Sequence, residues 1–222
     1  MKLMLALDVM NKNEALRIAE ETKDFVDTIK IGYPLVLSTS MDIVKEIKDK
    51  TNKEVVCDFK VADIPATNEK IAKITLKYAD AIICQGFVGR DSIMAIQKVA
   101  EEYGNKGAPK KVIMVTEMSH PSAVEFLQPV ADDLAKMAKE LSVDGVVAPS
   151  TRPERLKEIK EIVGDIPIIS PGVGAQGGDL DKVLEILGDN DYIIVGRAIY
   201  EHNNPKESAK HYKKLISKTA IL

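Results

Sequence analysis

The chain has 222 residues, enough to bury a full hydrophobic core, and one barrel or sandwich domain of this length is common. Hydrophobic residues make up 45% and charged residues 29%, a globular composition that excludes an intrinsically disordered chain. With 31 Lys and Arg against 34 Asp and Glu, the net charge is -3, so no bulk attraction to nucleic acid or to a membrane is expected.

Short apolar segments alternate with amphipathic, Lys- and Glu-rich segments along the chain, as is typical of parallel βα units. Predicted helices include Asn13–Lys23, Ser38–Lys50 and Ile64–Tyr78, and the polar interval Tyr103–Lys111 is predicted to be a surface loop. Eight strands are predicted, beginning near Leu3, Val26, Glu54, Ala81, Lys111, Asp144, Pro167 and Tyr192.

Eight strands, each followed by a helix, fit a closed (β/α)8 TIM barrel, which is an α/β fold. A doubly wound open sheet also alternates, but its phosphate-binding glycines would be expected after the first strand. Leu7-Asp8-Val9-Met10 stands there instead, which favours the barrel. Since no linker or low-complexity tract divides the chain, residues 1–222 are predicted to form a single barrel domain.

Charged residues occur within the first eight positions, which leaves too short an apolar segment for a signal peptide. No later apolar segment approaches membrane-spanning length. Cys57 and Cys84 lie in apolar segments without metal-ligand spacing, so they are predicted to be buried, reduced thiols. We therefore expect a soluble, cytoplasmic protein.

Asp58 and Lys60 stand two residues apart at the end of the third apolar segment. Because side chains alternate along a strand, both should point to the same side. A buried ion pair seldom adds stability over a well-packed apolar pair, so a chemical role is the better explanation.

The neighbours of Lys60 distinguish two uses of a strand-end lysine. A Schiff-base lysine needs an apolar pocket or a nearby cation that lowers its pKa. Flanking Asp58 and Asp63, with Lys30 and Asp8 extending the array, instead predict that Lys60 stays a protonated cation and proton donor. Such a cation suits loss of CO₂ followed by protonation of the carbanion, without a cofactor.

Polar residues follow most of the other strands, where the active site of a barrel forms. Helix capping is the alternative explanation for Asp63, which precedes Pro65, and it is favoured for Ser150 and Thr151, which precede Pro153. No histidine is assigned a role, and no metal site is predicted. The polar set comprises Asp8, Lys30, Gln85, Glu117, Ser119, His120, Ser150, Ser170, Gly196 and Arg197.

Two segments indicate a phosphate site. Ser170–Gly178 supplies four glycines after the seventh strand, and Gly196 with Arg197 follows the eighth. The loops after strands seven and eight are the usual phosphate site of this barrel class, and Arg adds a bidentate contact. A phosphorylated small molecule is the predicted ligand.

Six segments in this order resemble the motifs of the orotidine 5′-phosphate decarboxylase family, in its short archaeal form. They are Leu5-Ala6-Leu7-Asp8, Ile29-Lys30-Ile31-Gly32-Tyr33-Pro34, Asp58-Phe59-Lys60-Val61-Ala62-Asp63-Ile64-Pro65-Ala66-Thr67-Asn68, Thr116-Glu117-Met118-Ser119-His120-Pro121, Ser170-Pro171-Gly172-Val173-Gly174-Ala175-Gln176-Gly177-Gly178 and Val195-Gly196-Arg197.

The resemblance implies roles for individual residues. Lys60 would protonate C6 of the pyrimidine, with Asp58 beside the departing carboxylate and Lys30 in the same charged array. It also implies a homodimer in which Asp63, Ile64 and Thr67 complete the neighbouring subunit's active site. The remaining contacts implied are Asp8 and Lys30 to ribose hydroxyls, Ser119 to the pyrimidine edge, Pro171 to the base pocket, Gln176 to base and phosphate, and Gly196 and Arg197 to the phosphate.

Two rival functions are considered. Barrel enzymes such as 3-keto-gulonate 6-phosphate decarboxylase and hexulose phosphate synthase share the Asp-x-Lys-x-x-Asp array but use Mg²⁺. In them the second-strand position tends to be acidic, whereas this chain has Lys30, a poor neighbour for another cation. A non-catalytic binder of phosphorylated ligands is the second rival, and the intact charged array argues against it.

Overall fold

The strands of the protein close into a parallel barrel, in which each strand pairs with its neighbours in chain order and β8 pairs with β1. The structure is a computed structural model that describes residues 1–104, 107–174 and 179–217. The predicted (β/α)8 barrel is confirmed. The strands are β1 Lys2–Ala6, β2 Thr28–Gly32, β3 Glu54–Val61, β4 Ala81–Gln85, β5 Lys111–Val115, β6 Gly145–Val147, β7 Ile168–Pro171 and β8 Tyr192–Val195.

Helices connect the strands, and they differ from the predicted ones mainly at their ends. The helix predicted as Ser38–Lys50 begins only at Asp42, because Ser38 ends the preceding helix and the chain leaves helical geometry at Thr39. None of the helices in the described ranges is long and apolar enough to cross a membrane. The helices are α1 Lys12–Thr22, α2 Tyr33–Ser38, α3 Asp42–Thr51, α4 Pro65–Leu76, α5 Arg90–Gly104, α6 Ala123–Phe126, α7 Ala131–Glu140, α8 Pro153–Val163, α9 Leu180–Ile186, α10 Arg197–Tyr200 and α11 Pro205–Ser217.

Side chains alternate between two apolar clusters along each strand, as the period of two requires. In β4, for example, Ile82 and Cys84 face the helices, while Ala81 and Ile83 face the barrel interior. The interior is filled, as in other barrels of this class. The inner cluster consists of Met4, Ala6, Val56, Ala81, Ile83, Ile113, Val115, Val147, Ile169 and Ile194.

A repeated contact joins neighbouring strands at the amino-terminal face of the barrel. An aspartate stands directly before each even-numbered strand, and its carboxylate accepts a hydrogen bond from a backbone amide at the start of the preceding strand. These contacts are Asp27 with Leu3 at 2.7 Å, Asp80 with Val55 at 3.0 Å, Asp144 with Val112 at 2.8 Å and Asp191 with Ile168 at 2.7 Å. The barrel is thus tied in four equivalent pairs of strands, and the opposite face is left for the polar loops.

Candidate active site

A cavity of about 390 Å³ opens at the carboxyl ends of the strands. Its floor is apolar and comes from the inner cluster, with Ala6, Ile83, Val147 and Ile194. Its walls are formed by residues that follow the strands, namely Asp8, Lys30, Asp58, Lys60, Met118, Ser119, His120, Pro171, Gly172, Val173, Gly196, Arg197 and Tyr200.

Asp58 lies between two ammonium groups in one wall of this cavity. Lys60 Nζ donates to Asp58 Oδ1 at 2.8 Å, and Lys30 Nζ lies 2.7 Å from Oδ2. The side chains of Lys30 and Asp58 are both only 8% exposed, whereas that of Lys60 is 34% exposed. Lys60 is therefore the member of the array that is open to a ligand.

The pKa values of the two buried members shift in opposite directions. Burial by itself would raise the pKa of Asp58, but the Lys30 and Lys60 ammoniums offset this and hold it below its usual value. Burial would lower the pKa of Lys30, but the Asp58 and Asp8 carboxylates raise it above its usual value. Both groups are thus ionised over the whole physiological pH range.

Asp8 reaches the array across Gly32, at the end of β2. A Cβ atom at position 32 would lie 2.7 Å from Asp8 Oδ1, closer than real contacts allow. A side chain at the end of β2 would therefore displace the Asp8 carboxylate from its present position.

The backbone of β3 departs from a regular strand at Lys60. Asp58 and Lys60 share a side, as predicted, but Lys60 has φ of 42° and the pairing with β4 shifts between Cys57 and Val61. A left-handed conformation is unfavourable for a lysine, and such strain is concentrated at functional sites. In this conformation both oxygens of Asp58 accept from Lys60, at 2.8 and 2.9 Å.

Asp63 is not brought into this array. It is exposed, its Oδ1 accepts from the Ile64 amide at 2.7 Å, and no ion pair in the described residues involves it. The bond to the adjacent amide is not an N-cap bond, because Ile64 occupies the cap position of α4 and no side chain caps that helix. Ile64 is 65% exposed and Thr67 is half-buried, and neither lines the cavity.

Ser119 and Pro171 line the same cavity, together with Met118 and His120. The predicted capping roles of Ser150 and Thr151 are wrong, because Arg152 is the cap residue of α8. Ser150 Oγ instead lies 2.6 Å from Ser170 Oγ, and Thr151 Oγ1 donates to the carbonyl of Ser119 at 2.8 Å. Both hydroxyls bind strands and loops that adjoin the cavity.

Glu117 is a polar residue to which the sequence assigned no role. It is wholly buried, and its carboxylate pairs with Arg152 Nε at 2.8 Å and with Arg155 Nε at 3.2 Å. A signal was present, since a charged residue lies two positions after the buried strand β5. Its arginine partners, however, come from α8 and the cap of that helix, more than thirty residues away.

Gly196 and Arg197 form the end of the cavity that adjoins β8. Arg197 is exposed, and it forms no ion pair within the part of the chain that the structure describes. Gly172 and Gly174, with φ of 118° and 80°, hold conformations in the preceding loop that favour glycine. Gln176 lies outside the described residues, as do the glycines that follow it.

Neither cysteine has the character of a nucleophile. Cys57 and Cys84 are free and buried, as predicted, and burial raises the pKa of each to about 12. Among the described residues, no three His, Cys, Asp or Glu side chains are grouped so that they could hold a metal ion.

Comparisons with known proteins place the chain among one set of relatives. Residues 1–212 match the model of the orotidine 5′-phosphate decarboxylase / HUMPS family. Orotidine 5′-phosphate decarboxylase of Methanocaldococcus jannaschii is 67% identical over 98% of this chain and 99% of its own length. The corresponding protein of Methanococcus maripaludis strain S2 is 66% identical, over 96% and 95%.

Solved structures show the same similarity in three dimensions. The M. jannaschii enzyme complexed with the inhibitor BMP matches with a TM-score of 0.93 and 67% identity, over 97% of this chain and 98% of the other. The enzyme of Pyrococcus horikoshii OT3 matches with a TM-score of 0.87 and 42% identity, over 97% and 99%.

Proposed function

The chain belongs to the orotidine 5′-phosphate decarboxylase / HUMPS family, and we propose that it decarboxylates orotidine 5′-monophosphate to uridine 5′-monophosphate, the last step of de novo pyrimidine synthesis. It is a carboxy-lyase. The observation that carries the proposal is the Lys30–Asp58–Lys60 array, because it places a fixed, accessible ammonium in the wall of a cavity that ends at Gly196 and Arg197.

In the proposed reaction the bond between C6 and the carboxylate breaks, CO₂ leaves, and the electron pair remains on C6. The Lys60 ammonium stabilises this developing negative charge and then delivers a proton to C6, and water restores the lysine proton. The Asp58 carboxylate, beside Lys60, disfavours the substrate carboxylate in the ground state. Lys30 holds Asp58 ionised from the other side.

The rest of the cavity supplies the substrate contacts. The phosphate, far from C6, provides binding energy that can be used at the reacting carbon. The proposed contacts are Asp8 and Lys30 with the ribose hydroxyls, Ser119 with the pyrimidine edge, Pro171 with the base, Gln176 with base and phosphate, and Gly196 and Arg197 with the phosphate.

The active sites are proposed to be shared in a homodimer, with Asp63, Ile64 and Thr67 completing the neighbouring subunit's site. Ile64 is a large apolar side chain that is 65% exposed, and Asp63 is exposed beside it. A partner surface would bury the isoleucine and bring the carboxylate to a second Lys60. We further propose that residues 1–222 form a single barrel domain and that the protein is cytoplasmic. Its substrate is a nucleotide, and nucleic acid and membranes are not proposed as partners.

Turnover of orotidine 5′-monophosphate, followed by its UV absorbance, tests the function directly. Lys60→Ala should lower turnover by about four orders of magnitude or more, because both charge stabilisation and the proton donor are lost. Lys206→Ala, the same change at an exposed position of α11, is the control and should leave turnover unchanged. A wild-type protein that binds the nucleotide without turnover would be a non-catalytic binder, and a fully active Lys60→Ala protein would remove Lys60 from the mechanism.

The reaction is proposed to need no metal or other cofactor. The Lys30 ammonium, 2.7 Å from Asp58, occupies the place from which a carboxylate would have to help hold a divalent cation. Turnover should therefore persist after treatment with EDTA. Loss of activity in EDTA, with recovery on addition of Mg²⁺, would contradict this and favour the Mg²⁺-dependent sugar-phosphate chemistry.

A further inference from the structure

Three successive backbone carbonyls in one wall of the cavity are held by side chains from the segment that leads into α8. Arg152 Nη2 donates to the carbonyl of Met118, and Arg152 Nη1 lies 3.5 Å from that of His120. Between them, Thr151 Oγ1 donates to the carbonyl of Ser119 at 2.8 Å. Met118, Ser119 and His120 all line the cavity, so Thr151 and Arg152 together hold the backbone of this wall.

Arg152 is held in turn by Glu117. The Glu117 carboxylate is 0% exposed, and its Oε1 accepts from Arg152 Nε at 2.8 Å and from Gln128 Nε2 at 3.3 Å. Its Oε2 accepts from Arg155 Nε at 3.2 Å. Because the guanidinium is planar, a bond to Nε fixes the plane in which the two terminal nitrogens of Arg152 reach the carbonyls.

A buried carboxylate is costly unless it is paired and hydrogen-bonded, so Glu117 strongly favours one arrangement of both arginines. Arg155 is tied further, since its Nη2 lies 2.6 Å from Asp132 of α7. Glu117 therefore connects the loop after β5 to two helices, and only the contacts that pass through Arg152 reach the cavity wall.

We propose that Glu117 is a positioning residue that, by orienting Arg152, holds Met118–His120 against the pyrimidine base of the bound nucleotide. This inference rests on the proposed function. The phosphate end of the cavity, at Gly196 and Arg197, follows β8, three strands farther round the barrel from β5. Loss of Glu117 should therefore weaken recognition of the base and leave recognition of the phosphate intact.

Glu117→Gln keeps the shape of the side chain and removes its charge, and calorimetry with two ligands measures the effect. Uridine 5′-monophosphate should bind roughly tenfold more weakly or worse, the equivalent of one displaced hydrogen bond to the base. Ribose 5-phosphate, which lacks the base, should bind as it does to the wild-type protein. Asp132→Asn is the matched control, because it removes an ion pair of Arg155 and touches none of the three carbonyls, and it should leave both affinities unchanged.

Equal weakening of both ligands by Glu117→Gln would indicate general loosening and would overturn the proposal, as would unchanged binding of both. Arg152→Lys decides the matter if Glu117→Gln does not fold, because it keeps a cation for Glu117 but cannot reach two carbonyls at once. Arg152→Lys should weaken binding of uridine 5′-monophosphate and leave binding of ribose 5-phosphate unchanged, and any other result would contradict the proposal. A wild-type protein without decarboxylase activity would refute the proposed function, whereas the ratio of the two affinities tests Glu117 alone.

Discussion

At the scale of single residues, Asp58 is the group on which the charged array depends. Its two oxygens face two ammoniums, at 2.7 Å from Lys30 and 2.8 Å from Lys60. Desolvation offsets much of the attraction in such a buried arrangement, so the array adds little net stability while it is complete. Removal of Asp58 takes away the ion-pair partner of the buried Lys30 ammonium, and this is where a large effect is expected.

The pH dependence of the wild-type array follows from the directions of the two shifts. The pKa of Asp58 lies below its usual 3.8, so its contribution to stability is present above that value and is lost as pH falls through the lower, folded value. The pKa of Lys30 lies above its usual 10.5, so its contribution is present below that value and is lost as pH rises through the folded value. The stabilisation from both groups is therefore constant around neutral pH.

Asp58→Asn should reverse the direction of the pKa shift of Lys30. Without the carboxylate, burial lowers the pKa of Lys30 below its unfolded value, so the unfolded state binds more protons and stability rises with pH. We expect the free energy of unfolding at neutral pH to fall by about 3 kcal/mol and to recover partly at alkaline pH. Urea unfolding across this pH range measures both effects.

The control for Asp58→Asn is Asp49→Asn, which breaks the exposed pair with Lys45 and should cost less than about 0.5 kcal/mol. A stability of Asp58→Asn that stayed flat or declined with rising pH would show that Lys30 is not destabilised by the loss of its partner.

At the scale of elements, the aspartates before the even-numbered strands repeat every two βα units. Asp191 is the most buried of the four, at 0% exposure, and it accepts from the amides of Ile168 and Gly188 at 2.7 and 2.8 Å. It also pairs with Lys160 at 2.9 Å, which ties α8 to the same point. This face carries the stability of the barrel, whereas the opposite face carries the proposed chemistry.

Asp191→Ala should lower the free energy of unfolding by about 3 kcal/mol, because the buried amide of Ile168 and the amide of Gly188 lose a charged acceptor. Guanidinium unfolding monitored by circular dichroism measures this. Asp189→Ala, two residues away, removes a 93% exposed side chain that pairs with the N-terminal amine, and should cost less than about 0.5 kcal/mol. Similar losses in both variants would mean that the buried contacts do not tie the strands.

At the scale of the whole molecule, the proposed dimer predicts that each active site needs residues from two subunits. Lys60 lies in its own cavity, but Asp63 does not reach it. If Asp63 serves the partner's site, subunits carrying Lys60→Ala and subunits carrying Asp63→Asn should complement each other. A mixed dimer would then contain one site with both native residues.

Refolding the two inactive variants together should restore activity to about one quarter of the wild-type sites, as random pairing of subunits gives half mixed dimers with one good site each. The UV assay measures the recovery, and each variant refolded alone serves as the control. A mixture no more active than its components would show that the sites are not shared.

The alternation of apolar and amphipathic segments was sufficient to predict the barrel, because side-chain periodicity and helix length are local properties of the chain. The same holds for the side shared by Asp58 and Lys60, and for the position of Gly196 and Arg197 after the last strand. Each of these follows from one segment and from the rule that the carboxyl ends of barrel strands meet on one face.

Tertiary structure alone decided the partners of groups from distant segments. Thr151 satisfies the normal requirements of a helix cap, yet it binds Ser119, which lies thirty-two residues earlier in the chain. Glu117 likewise pairs with two arginines from a distant segment. The left-handed backbone of Lys60 lies where the pairing of β3 with β4 is irregular. Hydrogen bonds and ion pairs act over a few ångströms, so which groups satisfy one another is settled only when the barrel closes and brings separate segments together.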